Sequence, residues 1–429
     1  MSSKNYIYIT IFLLFTLDFF YCKKLGKLAI FTDDDDIITI TSDDENEFMD
    51  AIDELNENGG TIYIDTPVIT FKRYSNIEIN GKLPGGIIGE RQSNGEYPRI
   101  IFTEARDIIS GFNIYGSNKF IEYIIVENAP DNGVSIMGEN NILDHVISRY
   151  NNGPGFAVYG DFNTLNYCYS YRNCYAKTFL VYGDGFLING EVNNIFNYCF
   201  AWDNSNSGFN YARLLNSSEL SFLHSGSWNN GNINVFTGRY DYDNGNPLDK
   251  NLWTIQKIME SDPSFVSNYY NKKYNIDDAS IDGYNVNEWI AKIEPWMDGY
   301  GFVFGNKNSS QSIDVKRNAL YCVAFDHKAG GFVDIYNHKY NAFMTNCAGF
   351  NNIINYILPY TYSKWENNWS WGSKNPDRLN NVKTKQPSNA NTIQNLFYTV
   401  RNQIIRAVSA NMFPDGINFD MGLNGLKPY

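Results

Sequence analysis

A short repeat constrains the fold of this chain more than any other feature of the sequence. It is marked by glycines about 22 residues apart, at Gly116, Gly138 and Gly160. Each unit has a run of alternating apolar residues, as in 121–125, followed by Asn, Gly and a second β-rich run. Alternation predicts strands, and Asn and Gly predict turns. Short strands joined by tight turns at a fixed period predict a parallel β-helix.

The segments outside the repeat predict the domain organisation. Residues 46–55 have helical spacing and end at Gly59 and Gly60, so a short helix should cover the open first turn of the solenoid. The repeat stops between residues 238 and 297, which is too long for a turn and predicts a lateral insertion. We therefore expect a signal peptide at 1–22, an acidic segment at 23–44, a β-helix domain at 45–364 and a C-terminal tail packed on it at 365–429.

Composition narrows the possible partners. The chain has 429 residues, a formal net charge of −13 and only 34 Lys and Arg residues. This balance argues against nucleic acid as a partner. It also disfavours an acidic polysaccharide, unless a local basic groove or bound cations offset the repulsion.

The first 22 residues resemble a secretory signal. Lys4 precedes an apolar run from Ile7 to Leu17, and the alternative is an uncleaved anchor, although the run is shorter than a membrane span. Glycosylation triplets are compatible with secretion and begin at Asn216, Asn308 and Asn368. We expect a secreted monomer without a membrane contact after signal cleavage.

The cysteines allow two interpretations. One of the six, Cys22, lies in the presumed signal, so the remaining number is odd. Cys168 and Cys199 occupy equivalent places in their repeats, as do Cys322 and Cys347. Each pair is either part of a buried column of small apolar residues or a disulfide between neighbouring rungs.

Recurrent asparagines predict a structural feature and not a binding site. They end the first strand of successive units, at Asn128, Asn151, Asn173, Asn204, Asn229 and Asn351. Stacked about 4.8 Å apart, their amides can bond one another, and Asn tolerates the left-handed backbone of such turns. The four histidines are scattered without the spacing of a zinc site or a Ser-His-Asp triad.

Four ordered motifs carry a resemblance to a known family. They are Gly183–Phe186, Ala201–Asn210, Asp298–Gly305 and Val323–Phe332. Over roughly residues 45–360 the chain resembles the secreted pectate lyases of polysaccharide lyase family 9. The resemblance implies an all-β, right-handed parallel β-helix that cleaves polygalacturonate by calcium-assisted β-elimination.

The same resemblance implies a weakened site. The four calcium-binding carboxylates of the family fall on Asp184, Asn206, Ser207 and Asn210, so one carboxylate of four remains. Calcium prefers six to eight oxygen ligands, several of them charged, so calcium is a doubtful cofactor here. The family's catalytic lysine falls on Val303, which cannot accept a proton.

Other residues are weaker candidates for the site. Lys328 could substitute for the missing base, Arg213 could contact a uronate carboxylate, and Trp202 could stack on a sugar. The favoured hypothesis is a pectate-lyase-like protein that acts on or binds acidic plant cell-wall polysaccharide (pectin or polygalacturonate) with a degenerate site. The alternative is a non-catalytic polysaccharide-binding or surface protein. A third, a β-helix glycosidase, would need converging carboxylates, for which the candidates are Asp184, Asp203, Asp326 and Asp334.

Overall fold

The fold is the predicted parallel β-helix, and the described part of the chain contains three long sheets and one helix. The computed structural model describes residues 37–72, 76–93, 95–103, 110–129, 131–151, 153–173, 183–190, 192–211, 219–231, 240–241, 246–247, 299–304, 316–334, 341–358 and 361–386. All strand pairs within the three sheets are parallel, and the register between neighbouring rungs is regular apart from one shift between Ala342 and Phe343.

Each complete rung contributes one strand to each of three sheets, which we name A, B and C in the order in which the chain enters them. Sheet A contains Ile37–Ile40, Gly60–Ile64, Gly85–Gly89, Lys119–Glu122, Ile142–Asp144, Thr164–Asn166, Asn194–Asn197, Glu219–Leu223, Lys316–Leu320, Asn341–Thr345 and Thr361–Glu366. Sheet B contains Val68–Phe71, Arg99–Phe102, Ile125–Glu127, Ile147–Arg149, Tyr169–Tyr171, Phe200–Trp202, Gly226–Trp228, Val323–Phe325, Ala348–Phe350 and Trp369–Trp371. Sheet C contains Ile77–Ile79, Phe112–Ile114, Val134–Ile136, Phe156–Val158, Phe186–Ile188, Phe209–Tyr211, Tyr300–Val303, Gly330–Val333, Ile354–Leu358 and Arg378–Leu379.

The predicted helix closes the N-terminal end of the solenoid. It spans Glu45–Asn58, where the Asp44 side chain accepts the backbone N–H groups of Asn46 and Glu47. Its buried face includes Phe48, and it ends at Gly59, whose φ of 77° favours glycine. The sheets extend beyond the predicted domain limits of 45–364 on both sides, from Ile37–Ile40 to Arg378–Leu379.

The solenoid interior is a set of stacked apolar columns. In sheet C, Phe186, Phe209, Phe302 and Phe332 stack in consecutive rungs with centroid separations of 4.6, 4.7 and 5.1 Å. All four are fully buried. This stacking matches the strand spacing of about 4.8 Å, so identical residues at one position of the repeat reinforce one another.

An asparagine ladder lies inside the corner between sheets B and C. It contains three of the six predicted asparagines, and the other three lie one position before it. Its members are Asn151, Asn173, Asn204, Asn230, His327 and Asn352, each accepting an N–H from the preceding rung's residue. Asn128, Asn229 and Asn351 instead occupy the position before the ladder, with φ of 50–59°. Both positions favour Asn, one through its amide and the other through its left-handed backbone, so spacing alone could not separate them.

Four cysteines form a buried column of reduced thiols. Cys168, Cys199, Cys322 and Cys347 are fully buried, and each Sγ faces a backbone carbonyl of the preceding rung at 3.3–3.6 Å. Burial raises the pKa of the Cys168 and Cys322 thiols. The buried-column interpretation is therefore the one the structure supports; Cys22 and Cys174 lie outside the described residues.

A second aromatic stack covers the outer face of sheet B. Its successive rings are Tyr171, Trp202, Trp228, Phe325, Phe350 and Trp371, with centroid separations of 4.4–5.6 Å. Trp202 is 0% exposed between Tyr171 and Trp228. Its side chain therefore packs between these two rings within the protein.

Several predicted segments lie outside the described residues. They are the signal peptide, the acidic segment up to residue 36, nearly all of the insertion at 238–297, and the tail after residue 386. Within the insertion, Tyr240–Asp241 pairs antiparallel with Asn246–Pro247. Among the described residues, no helix is long and apolar enough to cross a membrane.

Candidate functional site

The residues singled out by the motifs meet on the outer face of sheet C. Four consecutive rungs each place two residues there, one two positions before the inward-facing Phe and one immediately after it. We call these eight residues the outer lattice: Asp184 and Leu187, Ser207 and Asn210, Tyr300 and Val303, Gly330 and Val333. The strand register places Leu187, Asn210, Val303 and Val333 side by side. Neighbouring rungs are about 4.8 Å apart.

The carboxylate of Asp184 is the polar centre of the lattice. Its Oδ1 accepts the Asn206 side-chain amide at 2.9 Å and the Ser207 backbone N–H at 3.0 Å. Its Oδ2 accepts the Asn210 side-chain amide at 3.0 Å. Asp184 is 1% exposed, so these three donors stabilise a negative charge that has little access to water.

This arrangement does not fit a calcium ion. A calcium ligand must turn an oxygen lone pair toward the metal, whereas Asn206 and Asn210 direct N–H groups toward Asp184. Protein donors therefore take the place that a cation would occupy. The described part of the chain also contains no group of three or more His, Cys, Asp or Glu side chains able to hold a metal. The two amides and Asp184 thus form a hydrogen-bonded cluster at the predicted calcium position.

Val303, at the predicted position of the catalytic base, is an apolar residue with little access to solvent. Val303 is 5% exposed and pairs across the sheet with Asn210 on one side and Val333 on the other. Val333 is fully buried. A lysine at this position would lie next to Asn210 and two rungs from Asp184, which is the one carboxylate of the lattice.

Tyr300 belongs to the site and was missed by the sequence prediction. It holds the same place in its rung as Asp184 and Ser207 do in theirs, and its half-exposed ring leans toward the next rung. A Cβ at Gly330 would lie 3.3 Å from Tyr300 Cδ1 and 2.6 Å from Val333 Cγ2. Because glycine has no Cβ, the Tyr300 ring and the Val333 side chain both fit there. The signal was the recurring x-Gly-Phe triplet at 184–186, 207–209, 300–302 and 330–332.

The remaining predicted residues do not join Asp184. Lys328 lies in the turn before Gly330, where its backbone N–H donates to the Asn230 carbonyl at 3.3 Å. This turn is two rungs beyond Asn206 along the solenoid. Arg213 lies outside the described residues.

The other candidate carboxylates have partners of their own. Asp203 lies 3.5 Å from Arg172 and accepts the Asn229 amide at 2.7 Å, while burial raises its pKa. Burial also raises the pKa of Asp326 to about 6. Both follow strands of sheet B, and Asp334 follows a strand of sheet C. None of the three belongs to the outer lattice that contains Asp184.

Comparisons with known proteins agree with this architecture. A family model described as the Pel9A-like, right-handed beta-helix region matches residues 30–248. Among solved structures, the crystal structure of pectate lyase Pel9A is similar with a TM-score of 0.51 and 17% identity, covering 80% of this chain and 74% of that chain. A rhamnogalacturonan lyase gives a TM-score of 0.45 and 16% identity, covering 76% and 78%. No curated protein matches the sequence.

Proposed function

The chain belongs to the Pel9A-like right-handed β-helix family, and from this premise we propose that it is a secreted polysaccharide-binding protein whose ligand is the pectic galacturonan of plant cell walls. The proposal includes the loss of calcium-assisted β-elimination at the inherited site. The protein then retains the scaffold of the family as a recognition surface.

The hydrogen bonding of Asp184 is the observation that carries this proposal. β-Elimination from a uronate needs a base at C5 and a positive charge that stabilises the developing enolate. The described residues of the site offer neither, because Asp184 accepts three N–H donors and Val303 stands at the position of the base. The backbone of Lys328 lies two rungs beyond Asn206, where its N–H donates to the Asn230 carbonyl.

The chain's own residues support binding instead of cleavage. Asn210 is half-exposed, and its amide is oriented by Asp184, so its Oδ1 is held in a fixed direction as an acceptor. Tyr300 provides an aromatic surface of the kind that packs against sugar C–H groups. A polar group and a ring on one rigid sheet face are suited to recognition of a glycan.

The experiment is a lyase assay combined with a binding assay. Purified protein is incubated with polygalacturonate and calcium, and the absorbance of the unsaturated product is followed; we expect no rise above a buffer control. Immobilised pectin, cellulose and xylan are then compared, and we expect retention on pectin. A robust calcium-dependent rise in absorbance would contradict the loss of activity, and equal retention on all three polymers would contradict the choice of ligand.

A further inference from the structure

We propose that the outer lattice recognises uncharged sugar units, and that within a galacturonan it selects methyl-esterified residues over free uronates. This inference rests on the proposed function and specifies the chemistry of its ligand. Its contact residues are Leu187, Asn210 and Tyr300, the three half-exposed side chains of the lattice. None of these three carries a charge.

The distribution of polar and apolar groups supports an uncharged ligand. The first two rungs of the lattice hold the polar cluster around Asp184, and the next two hold Tyr300, Val303 and Val333. Val303 and Val333 are buried, and Val333 and the Tyr300 ring both lie next to Gly330. A sugar across this boundary would place a hydroxyl on the Asn210 acceptor and its C–H face on Tyr300. A methyl ester can lie against the apolar half of the lattice, whereas a free carboxylate would lose hydration free energy there.

Charge also disfavours a free uronate. Asp184 places a formal negative charge in the lattice, and the whole chain carries −13. In the described turns that lead into these four strands, the cations are Arg172 and Lys328. Arg172 is buried 3.5 Å from Asp203, which leaves Lys328, at the far edge, as the group that could face a carboxylate. Apart from the uncharged polar residues Ser207 and Asn210, the centre of the lattice is therefore anionic or apolar.

Two polymers with the same backbone test the inference. Highly methyl-esterified homogalacturonan and the same preparation after de-esterification are titrated against the full-length protein by isothermal calorimetry in the presence of EDTA. We expect the esterified form to bind about tenfold more tightly or better, which corresponds to the removal of one uncompensated charge contact. Tighter binding of the de-esterified form overturns the inference but leaves the proposed function intact. Absence of binding to both polymers overturns the proposed function too.

Variants locate the binding surface. Tyr300→Ala should weaken binding of the esterified polymer about tenfold, as expected for an aromatic residue at the centre of an interface. Tyr115→Ala is the matched control, because Tyr115 is 48% exposed at a different edge of the solenoid; it should bind as the unmodified protein does. Equal affinities of the two variants would overturn the assignment to the lattice.

A third variant separates carboxylate recognition from recognition of the uncharged unit. Lys328→Gln removes the cation at the edge and should leave binding of the esterified polymer within about twofold. A loss as large as that of Tyr300→Ala, together with weakening by added salt, would show that a ligand carboxylate is being recognised and would overturn the inference.

Discussion

At the scale of single residues, the decisive property of the site is the direction of its hydrogen bonds. Asn206 and Asn210 have almost the shape of aspartates, but each turns an N–H group toward Asp184. A carboxylate at either position could only accept a hydrogen and would repel Asp184. A cation would then be needed to hold the cluster together.

Restoring the carboxylates should therefore restore a response to calcium. The triple variant Asn206→Asp, Ser207→Asp, Asn210→Asp should be less stable than the unmodified protein in EDTA, because four carboxylates then crowd one site. Calcium at 100 times its dissociation constant should return about 2.7 kcal/mol of stability. Thermal denaturation with and without calcium measures this, with the unmodified protein as the control. An identical calcium response in both proteins would contradict the assignment of the site.

His327 makes the stability of the folded protein depend on pH. It takes the place of an asparagine in the ladder, where its Nδ1 accepts the Asn230 N–H at 3.3 Å, and burial lowers its pKa to about 3. An unfolded histidine has a pKa of about 6.5. Because the folded pKa is depressed, the contribution of this residue is complete above pH 6.5 and is lost as the pH falls toward 3.

Replacing this histidine by asparagine should remove that dependence. When the pH is lowered from 7 to 5, the free energy of unfolding of the unmodified protein should fall by roughly 2 kcal/mol more than that of His327→Asn. Urea denaturation at the two pH values measures the difference. His145→Asn serves as the control, since His145 lies on a half-exposed corner with Tyr123 and Tyr167 stacked on its two faces. If the free energy of unfolding of His327→Asn changes with pH as much as that of the unmodified protein, this role of His327 is ruled out.

At the scale of structural elements, the asparagine ladder fixes the corner between sheets B and C. Asn173 is a typical member: its Nδ2 donates to Asn204 Oδ1 at 3.0 Å, and its Oδ1 accepts the Asn151 backbone and side-chain N–H groups at 3.2 and 2.9 Å. Each amide thus satisfies buried polar groups in two neighbouring rungs. Such groups would be costly without a partner.

Loss of one ladder residue should destabilise the whole domain. Asn173→Ala leaves buried donors of Asn151 without an acceptor and should lower the free energy of unfolding by about 3 kcal/mol. Chemical denaturation followed by circular dichroism measures the loss. Asn140→Gly is the control, because Asn140 is an exposed corner residue with φ of 55° and glycine adopts that backbone without strain. Similar losses in both variants would contradict a special role for the ladder.

The presence of the helix and the strands was easier to predict than which side of each strand is buried. Period and turn residues correctly predicted the solenoid and the N-terminal helix, since these depend on local chemistry. They did not predict that Trp202 is buried, because both faces of sheet B are covered and alternation no longer distinguishes inside from outside. Tyr300 was missed for another reason: the insertion separates it from Ser207, its neighbour across the sheet, by more than 90 residues of sequence.

At the scale of the whole molecule, the negative net charge and the length of the solenoid both affect the binding of a long ligand. A polysaccharide lying along sheet C would pass several rungs, so it would experience the net charge of −13 as well as the lattice itself. The family's scaffold thus presents a rigid face, while the charge decides which chemical form of a polymer can approach it.

The affinity for de-esterified polygalacturonate should consequently increase with salt. Repulsion between two polyanions extends over the Debye length, about 30 Å at 0.01 M salt and about 10 Å at 0.1 M. Raising the salt between these concentrations should strengthen binding of the free acid several-fold, whereas binding of the methyl-esterified polymer should change little. Affinity electrophoresis at the two ionic strengths measures both, and the esterified polymer is the internal control. If salt instead weakens binding of the free acid, a basic surface must contact it, and the repulsion derived from the net charge would be incorrect.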